Sequence, residues 1–202
     1  LFIQGTTSLD ADTEWNTCEV ILLENAVVGP DAILTVRPGV EVKSNFLNTG
    51  TNGTFGTVGL DVHGTLQAVG TKDHPIRFTS LTDNGWRGLT LRGQSNAIQH
   101  AFIDNAGTGV EITGTGSAEI SDVVIEGLVN GDETVNLRGQ NGILAHTGAN
   151  AVFKRAVVKN FTIAGFRSTG GDQVLIEDSV LHNNQAGVRI EGENASSSCG
   201  TR

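Results

Sequence analysis

Acidic, basic and hydroxyl side chains recur after a repeated dipeptide of glycine and an apolar residue. The dipeptide occurs at Gly88-Leu89, Gly109-Val110, Gly142-Ile143, Gly165-Phe166 and Gly187-Val188. The next position holds Thr90, Glu111, Leu144, Arg167 and Arg189, and two residues further on stand Arg92, Thr113, His146, Thr169 and Glu191. Such residues suit polysaccharide chemistry, because glycoside hydrolysis uses two carboxylates and arginine binds acidic groups. The candidate ligand groove comprises Thr90, Glu111, His146, Arg167 and Arg189.

These side chains must be positioned by a repeat, because the glycine dipeptides return at nearly constant spacing. Successive steps are 21, 33, 23 and 22 residues. The long step contains a polar stretch, residues 127–140, which indicates an inserted loop of about ten residues. Without this insertion the period is about 22 residues, as expected for a stacked repeat.

Apolar triplets keep the same phase as the glycines. Their members are Ile98, Phe102 and Ile103; Ile120, Val124 and Ile125; Phe153, Val157 and Val158; and Ile176, Val180 and Leu181. Seven residues after each triplet begins stands Asn105, Gly127, Asn160 or Asn183. Asn and Gly tolerate a left-handed backbone, so this column predicts a tight turn in every repeat.

Short strands separated by tight turns cannot bury their apolar sides within one repeat. Stacking the repeats about 4.8 Å apart pairs the strands in parallel and encloses one apolar column. The pattern therefore predicts an all-β, single-stranded β-solenoid of about seven coils over residues 18–192. Residues 1–17 are predicted to form an N-terminal cap or entry segment, and residues 193–202 a polar tail. A leucine-rich repeat and a β-sandwich are disfavoured, because neither one's pattern is present.

The outward positions of the predicted coils carry charges that alternate in sign. Stacking places Asp122 beside Arg155, Arg155 beside Asp178, Glu126 beside Lys159, and Lys154 beside Glu177. Each such pair is expected to add a few tenths of a kcal/mol on a wet surface. The charge pattern thus supports the same register as the apolar triplets.

The same register argues against catalysis. Glu111 and Glu191 are predicted to lie about four coils apart, roughly 19 Å, which is too far for a hydrolytic pair. Arg167 and Arg189 stack on neighbouring coils without an acid cluster facing them, although two arginines would suit an acidic sugar. The five histidines do not share a column, so neither a metal nor a cofactor is expected. Whether the protein is an enzyme stays open, with a non-enzyme favoured.

Composition restricts the partners. A formal charge of −9 argues against nucleic acid, and no apolar run approaches the roughly 18 residues of a membrane-spanning helix. Asn52, Asn160 and Asn194 begin glycosylation sequons, which favours a secreted glycoprotein. Asn52 is the best acceptor, while Asn160 falls in the turn column and is expected to stay unmodified. Trp15 and Trp86 are interpreted as core or cap residues.

The first half contains more specific motifs. They are Asp12-Thr13-Glu14-Trp15, Leu34-Thr35-Val36-Arg37-Pro38-Gly39, Gly64-Thr65-Leu66-Gln67-Ala68-Val69-Gly70-Thr71, Pro75-Ile76-Arg77-Phe78-Thr79-Ser80 and Trp86-Arg87-Gly88. In these motifs the chain resembles secreted or cell-surface proteins that have a right-handed parallel β-helix of the pectin-lyase-like kind. The resemblance implies that fold and an extracellular or cell-surface location. It implies little about activity, since one fold carries many functions.

The favoured function is an extracellular structural or adhesive module, with a glycosylated filament subunit that stacks head to tail as its more specific form. Cys18 and Cys199 lie too far apart in the predicted solenoid for an internal disulfide unless the tail folds back. They would meet where one subunit stacks on the next, so an intersubunit disulfide is a second hypothesis. The alternative function is a polysaccharide-binding or polysaccharide-degrading β-helix protein.

Overall fold

The computed structural model describes residues 1–3, 7–45, 58–128, 139–171 and 173–191. It contains twenty-one strands, all paired in parallel where a pairing is recorded: β1 (Phe2–Ile3), β2 (Thr7–Leu9), β3 (Thr13–Trp15), β4 (Glu19–Leu22), β5 (Ala26–Val28), β6 (Ile33–Val36), β7 (Glu41–Ser44), β8 (Leu60–Val62), β9 (Thr65–Val69), β10 (Ile76–Ser80), β11 (Leu89–Leu91), β12 (Asn96–Ala106), β13 (Thr108–Ile112), β14 (Ser117–Gly127), β15 (Asn141–Ala145), β16 (Asn150–Lys154), β17 (Val157–Lys159), β18 (Ala164–Ser168), β19 (Gln173–Glu177), β20 (Val180–His182) and β21 (Val188–Ile190). The predicted right-handed parallel β-helix is confirmed.

Two sheets run along the solenoid. The eight-stranded sheet has the order β2-β5-β8-β11-β13-β15-β18-β21, one strand from each coil. The other sheet has thirteen strands, because β12 and β14 each continue round a corner and belong to two strand columns at once. The described residues therefore form eight coils, one more than the period suggested.

The additional coil comes from residues 1–17. Its three strands pair in parallel with the next coil, for example Phe2 with Ile21 and Trp15 with Val36. The segment expected to cap the solenoid thus joins the ladder of strands itself. The polar tail at 193–202 lies outside the described residues.

The core is one continuous column of apolar side chains inside the coils. Ile98 pairs with Ile120, and Phe153 with Ile176, so the register predicted from the triplets is confirmed. The first and third triplet members point inward, whereas the second forms an outward row. Phe102, at 42% exposure, belongs to that outward row.

Two corners recur with a left-handed backbone in the regular coils, except at Gly127, whose φ lies outside that region. Asn105, Asn160 and Asn183 have φ of 55°, 65° and 54°, as the turn column predicted, whereas Gly127 ends strand β14. A second left-handed corner consists of His100, Asp122, Arg155 and Asp178, with φ between 47° and 56°. His and Asp tolerate this conformation better than most side chains, and Arg does so less readily.

Two of the recurrent glycines, Gly109 and Gly142, are required for space. A Cβ on Gly109 would lie 2.3 Å from the Ile125 side chain, and one on Gly142 would lie 2.1 Å from that of Val158. Neither glycine has a φ in the left-handed region. Glycine at these two positions therefore lets two walls of the core approach each other closely, which is a different role from forming a turn.

Candidate ligand face

The outward side of the eight-stranded sheet carries the predicted groove residues. Strand pairing aligns one row in the order Asp61, Thr90, Glu111, Leu144, Arg167 and Arg189. His146 lies in the next outward row, two residues beyond Leu144 on the chain. All five predicted residues thus lie on one side of the sheet, which we call the ligand face, although Thr90 is only 4% exposed. It also contains Asp61, Arg92 and Glu191.

Asp61 was missed by the sequence reasoning. Arg92 donates from Nε and Nη2 to its two carboxylate oxygens at 2.8 and 3.4 Å. His63 Nε2 lies 3.6 Å away, and Arg87 Nη2 lies 4.0 Å away. The dipeptide Gly59-Leu60 just before it matches the repeated glycine dipeptides and could have revealed the position. The long segment between β7 and β8 obscured that match.

Glu111 is the second acid of the row. His146 Nε2 lies 2.8 Å from its Oε1, and Thr90 Oγ1 donates to Oε2 at 3.4 Å. Glu111 lies two strand steps from Asp61, or about 10 Å along the solenoid axis. The sequence analysis compared Glu111 only with Glu191 and did not consider Asp61.

The two predicted arginines share one carboxylate. Arg167 Nη2 and Arg189 Nε lie 2.8 and 2.6 Å from the oxygens of Glu191. The hydrogen bond from Arg167, followed by the charges of both arginines, lowers the pKa of Glu191 below its usual value. Glu111 and Glu191 are separated by three strand steps, about 14 Å, instead of the predicted four. The arginines are therefore engaged with an acid of their own chain.

Each of the three acids on this face has a basic partner. Arg92 holds Asp61, His146 contacts Glu111, and the arginine pair holds Glu191. Bidentate pairing with arginine fixes the orientation of a carboxylate, which suits the binding of a polar ligand. Within the described residues, no group of three or more potential metal ligands occurs.

Three of the four predicted ion pairs on the other sheet are present as salt bridges. Arg155 donates to both oxygens of Asp122 at 2.7 Å, and this bond lowers the pKa of Asp122 to about 2. Lys159 lies 2.9 Å from Glu126, and Lys154 lies 3.2 Å from Glu177. Asp178 acts on Arg155 through its charge. The outward columns are confirmed as charge ladders.

Only some of the remaining predicted residues lie within the described part of the chain. Cys18 is exposed beside β4, whereas Asn52, Asn194 and Cys199 lie outside the described residues. Asn160 is half-buried, and its Nδ2 donates to Glu126 at 2.8 Å. Glycosylation and the intersubunit disulfide therefore stay predictions.

Both tryptophans belong to the core. Trp15 and Trp86 are each 1% exposed, and Trp86 Nε1 donates to the carbonyl of Asp104 at 2.8 Å. Their interpretation as core residues is confirmed. The described part of the chain also has no helix that is long and apolar enough to cross a membrane.

Comparison with known families agrees with this architecture. The family model described as a right-handed beta helix region matches residues 69–199, which is more than half of the chain. The chain is a parallel β-helix protein, and it belongs to this right-handed beta helix family. No curated protein and no solved structure matches it.

Proposed function

We propose that the protein is an extracellular structural module whose solenoid stacks end to end with further copies of itself. The supporting observation is that the first and the last described coils carry the same inward columns of the eight-stranded sheet. Val188 and Ile190 on β21 are 56% and 37% exposed, although they continue inward columns of the eight-stranded sheet. Their neighbours one coil below, Phe166 and Ser168, are 6% and 2% exposed.

The first described coil presents matching columns. Val188 continues the row that starts at Thr7, and Ile190 the row that starts at Leu9. A second copy stacked in register would place its β2 over β21 at the ordinary strand spacing of about 4.8 Å. It would cover the apolar side chains of β21 and extend the parallel ladder by one strand. A head-to-tail contact of this kind does not close on itself and produces filaments.

A structural role also fits the ligand face, whose described acids are all held by bases of the same chain. The extracellular location is supported by the three sequons, and Cys18 is accessible for a bond at a subunit junction. Adhesion would use the long outward faces that a stack of coils presents. These elements make up one proposal, a rigid surface-displayed spacer.

End-to-end stacking is tested by measuring the size of the assembly as a function of protein concentration. Wild-type protein is expected to form filaments visible by negative-stain electron microscopy, and Val188→Lys should remove them by placing a charge at the junction. Val69→Lys is the control, because Val69 is also exposed, at 41%, but lies on an outward column of β9. Single particles of wild-type protein at every concentration would refute stacking. A non-reducing gel tests the Cys18–Cys199 bond separately.

A second candidate function is binding of a polysaccharide to the ligand face. It is favoured by Asp61 and Glu111, two acids about 10 Å apart with arginine and histidine beside them. Such paired polar groups hydrogen-bond sugar hydroxyls, and the arginine pair suits uronic acids. Calorimetry with neutral and acidic oligosaccharides tests this function, with Asp61→Asn and Arg167→Gln as variants. Equal heats for wild-type and variant proteins would reject it.

A further inference from the structure

An apolar stripe runs up the outside of the thirteen-stranded sheet. It consists of Phe102, Val124, Val157 and Val180, which strand pairing places one above another on successive coils. Phe102 and Val180 are 42% and 54% exposed, and the two residues between them are half-buried. Four stacked apolar side chains on an outward row differ from the isolated exposed residues that any surface contains.

Charged columns flank the stripe on both sides. Two residues after the stripe on each strand stand Asp104, Glu126, Lys159 and His182, and two residues before it stand His100, Asp122, Arg155 and Asp178. On the two central coils the charge reverses on both sides at once. Glu126 and Asp122 flank Val124, whereas Lys159 and Arg155 flank Val157.

We propose that this face pairs with the same face of a second copy, with the two solenoid axes antiparallel. A twofold axis between Val124 and Val157 then places Val124 of each copy against Val157 of the other copy. Phe102 faces Val180 in the same arrangement. The apolar stripe is thereby covered along its whole length, which is the isologous contact expected of a symmetric dimer.

Charge selects the antiparallel arrangement. In it, Glu126 of one copy faces Lys159 of the other, and Asp122 faces Arg155, so that every central contact joins opposite charges. If the twofold axis instead related two copies with parallel solenoid axes, each flanking column would face the opposite flanking column of the other copy. Glu126 would then face Asp122, and Lys159 would face Arg155, which is repulsive on both coils. Such like-charge contacts are an effective means of excluding a competing arrangement.

The pairing is expected to be weak. Four coils and three outward columns cover roughly 14 Å by 14 Å of backbone, a few hundred Å² per copy with side chains, against about 800 Å² per partner in a standard stable interface. A Kd of roughly 0.1 to 1 mM is therefore expected for single modules. The pairing does not depend on end-to-end stacking, but stacked copies would present several stripes and gain avidity.

Sedimentation velocity at low salt and at up to about 1 mM protein, in the range expected for such an interface, tests the proposal. Val188→Lys is the background for every measurement, since it removes stacking and leaves the stripe intact. Adding Val157→Lys should lower the dimer fraction at least fivefold, and adding Val69→Lys should leave it unchanged. A monomeric background protein, or an equal loss with Val69→Lys, would overturn the pairing.

The orientation is tested by complementary variants. Glu126→Lys makes one flanking column positive on both central coils, and Lys159→Glu makes it negative, so each protein alone should fail to pair. A one-to-one mixture should restore the dimer, because antiparallel contacts then join the Lys introduced at 126 to the Glu introduced at 159. Glu119→Lys is the charge control, and circular dichroism confirms folding. Failure of the mixture to recover would exclude the antiparallel arrangement.

Discussion

The inner coils and the last described coil have the same inward columns but very different surroundings. Phe166 is 6% exposed on β18, whereas Val188, directly above it on β21, is 56% exposed. A Cβ added to Gly142 would collide with the next coil, while one added to Gly187 would have nothing within 4 Å. Burial in this fold is therefore supplied by the neighbouring coil, and a residue's type alone does not determine its contribution.

This difference predicts that the free energy of unfolding is distributed unevenly along the solenoid. In a stack of repeats, each coil gains stability from contacts with both neighbours, and a coil with one neighbour gains less. Matched substitutions in one column, at an inner coil and at the last described coil, measure that gain directly. The predictions below run from the largest expected effect to the smallest.

The largest difference is expected for truncation in the Phe153 column. Phe153 is fully buried, so Phe153→Ala should lower the free energy of unfolding by about 3–5 kcal/mol. Ile176 pairs with it one coil above and is only partly buried, so Ile176→Ala should cost about 1–2 kcal/mol. Urea denaturation of monomeric protein measures both values. Equal losses would contradict the uneven distribution.

The glycine column should show the next largest contrast. On Gly142 a methyl group would lie 2.1 Å from the Val158 side chain and 2.6 Å from the Gly165 carbonyl oxygen, so Gly142→Ala should cost about 1–3 kcal/mol. Gly187→Ala should change monomer stability by less than about 0.5 kcal/mol. At concentrations where copies stack, the same Gly187 variant should shorten the filaments, because a further coil would then meet the methyl group.

Acid should weaken both regions through their carboxylates. Folding lowers the pKa of Asp122 from 3.8 to about 2, and it also lowers the pKa of Glu191. Asp122 therefore contributes stability above about pH 4 that is lost as the pH falls toward 2, and Glu191 contributes stability that is lost as the pH falls through its lowered pKa. Asp122→Asn should flatten the fall in melting temperature between pH 4 and 2 in the inner coils, and Glu191→Gln should do so less. An unchanged slope in Asp122→Asn would show that the bond to Arg155 adds nothing.

The smallest effect is expected for a single exposed ion pair. Lys154 and Glu177 lie 3.2 Å apart with side chains 47% and 43% exposed, so a double-mutant cycle with alanine should give about 0–0.5 kcal/mol. The bidentate pair of Arg155 with Asp122 should give a larger coupling energy, because two hydrogen bonds fix its geometry. A larger coupling at Lys154 than at Arg155 would mean that hydrogen-bond geometry does not govern these ladders.

The regular half of the fold was accessible from the sequence because its steps repeat. Pairings such as Ile103 with Ile125 follow from a constant period and from the alternation of inward and outward residues. The first half was less accessible, since the step from Val42 to its partner Phe78 is lengthened by the segment after Ser44. That irregular step concealed Asp61, and the very short strands β1 to β3 concealed a whole coil.

Other features escaped prediction for a different reason. The corner at His100, Asp122, Arg155 and Asp178 uses residue types that look like ordinary surface positions, and only the backbone reveals its left-handed conformation. The ion pairs of the ladders were predicted, because stacking alone determines which charges are adjacent. The distances between the acids on the ligand face could not be predicted correctly without knowing how many coils separate them.

The stacked strands also determine how the molecule responds to force. Hydrogen bonds such as Arg92 N to Val62 O and His146 N to Ile112 O join one coil to the next. Tension along the solenoid axis therefore loads the coils in series, and the weakest boundary opens first. Tension across the axis runs along the covalent backbone of individual strands and is shared among many coils. The stack of coils is thus mechanically anisotropic: it separates between coils under axial tension and resists sideways loads.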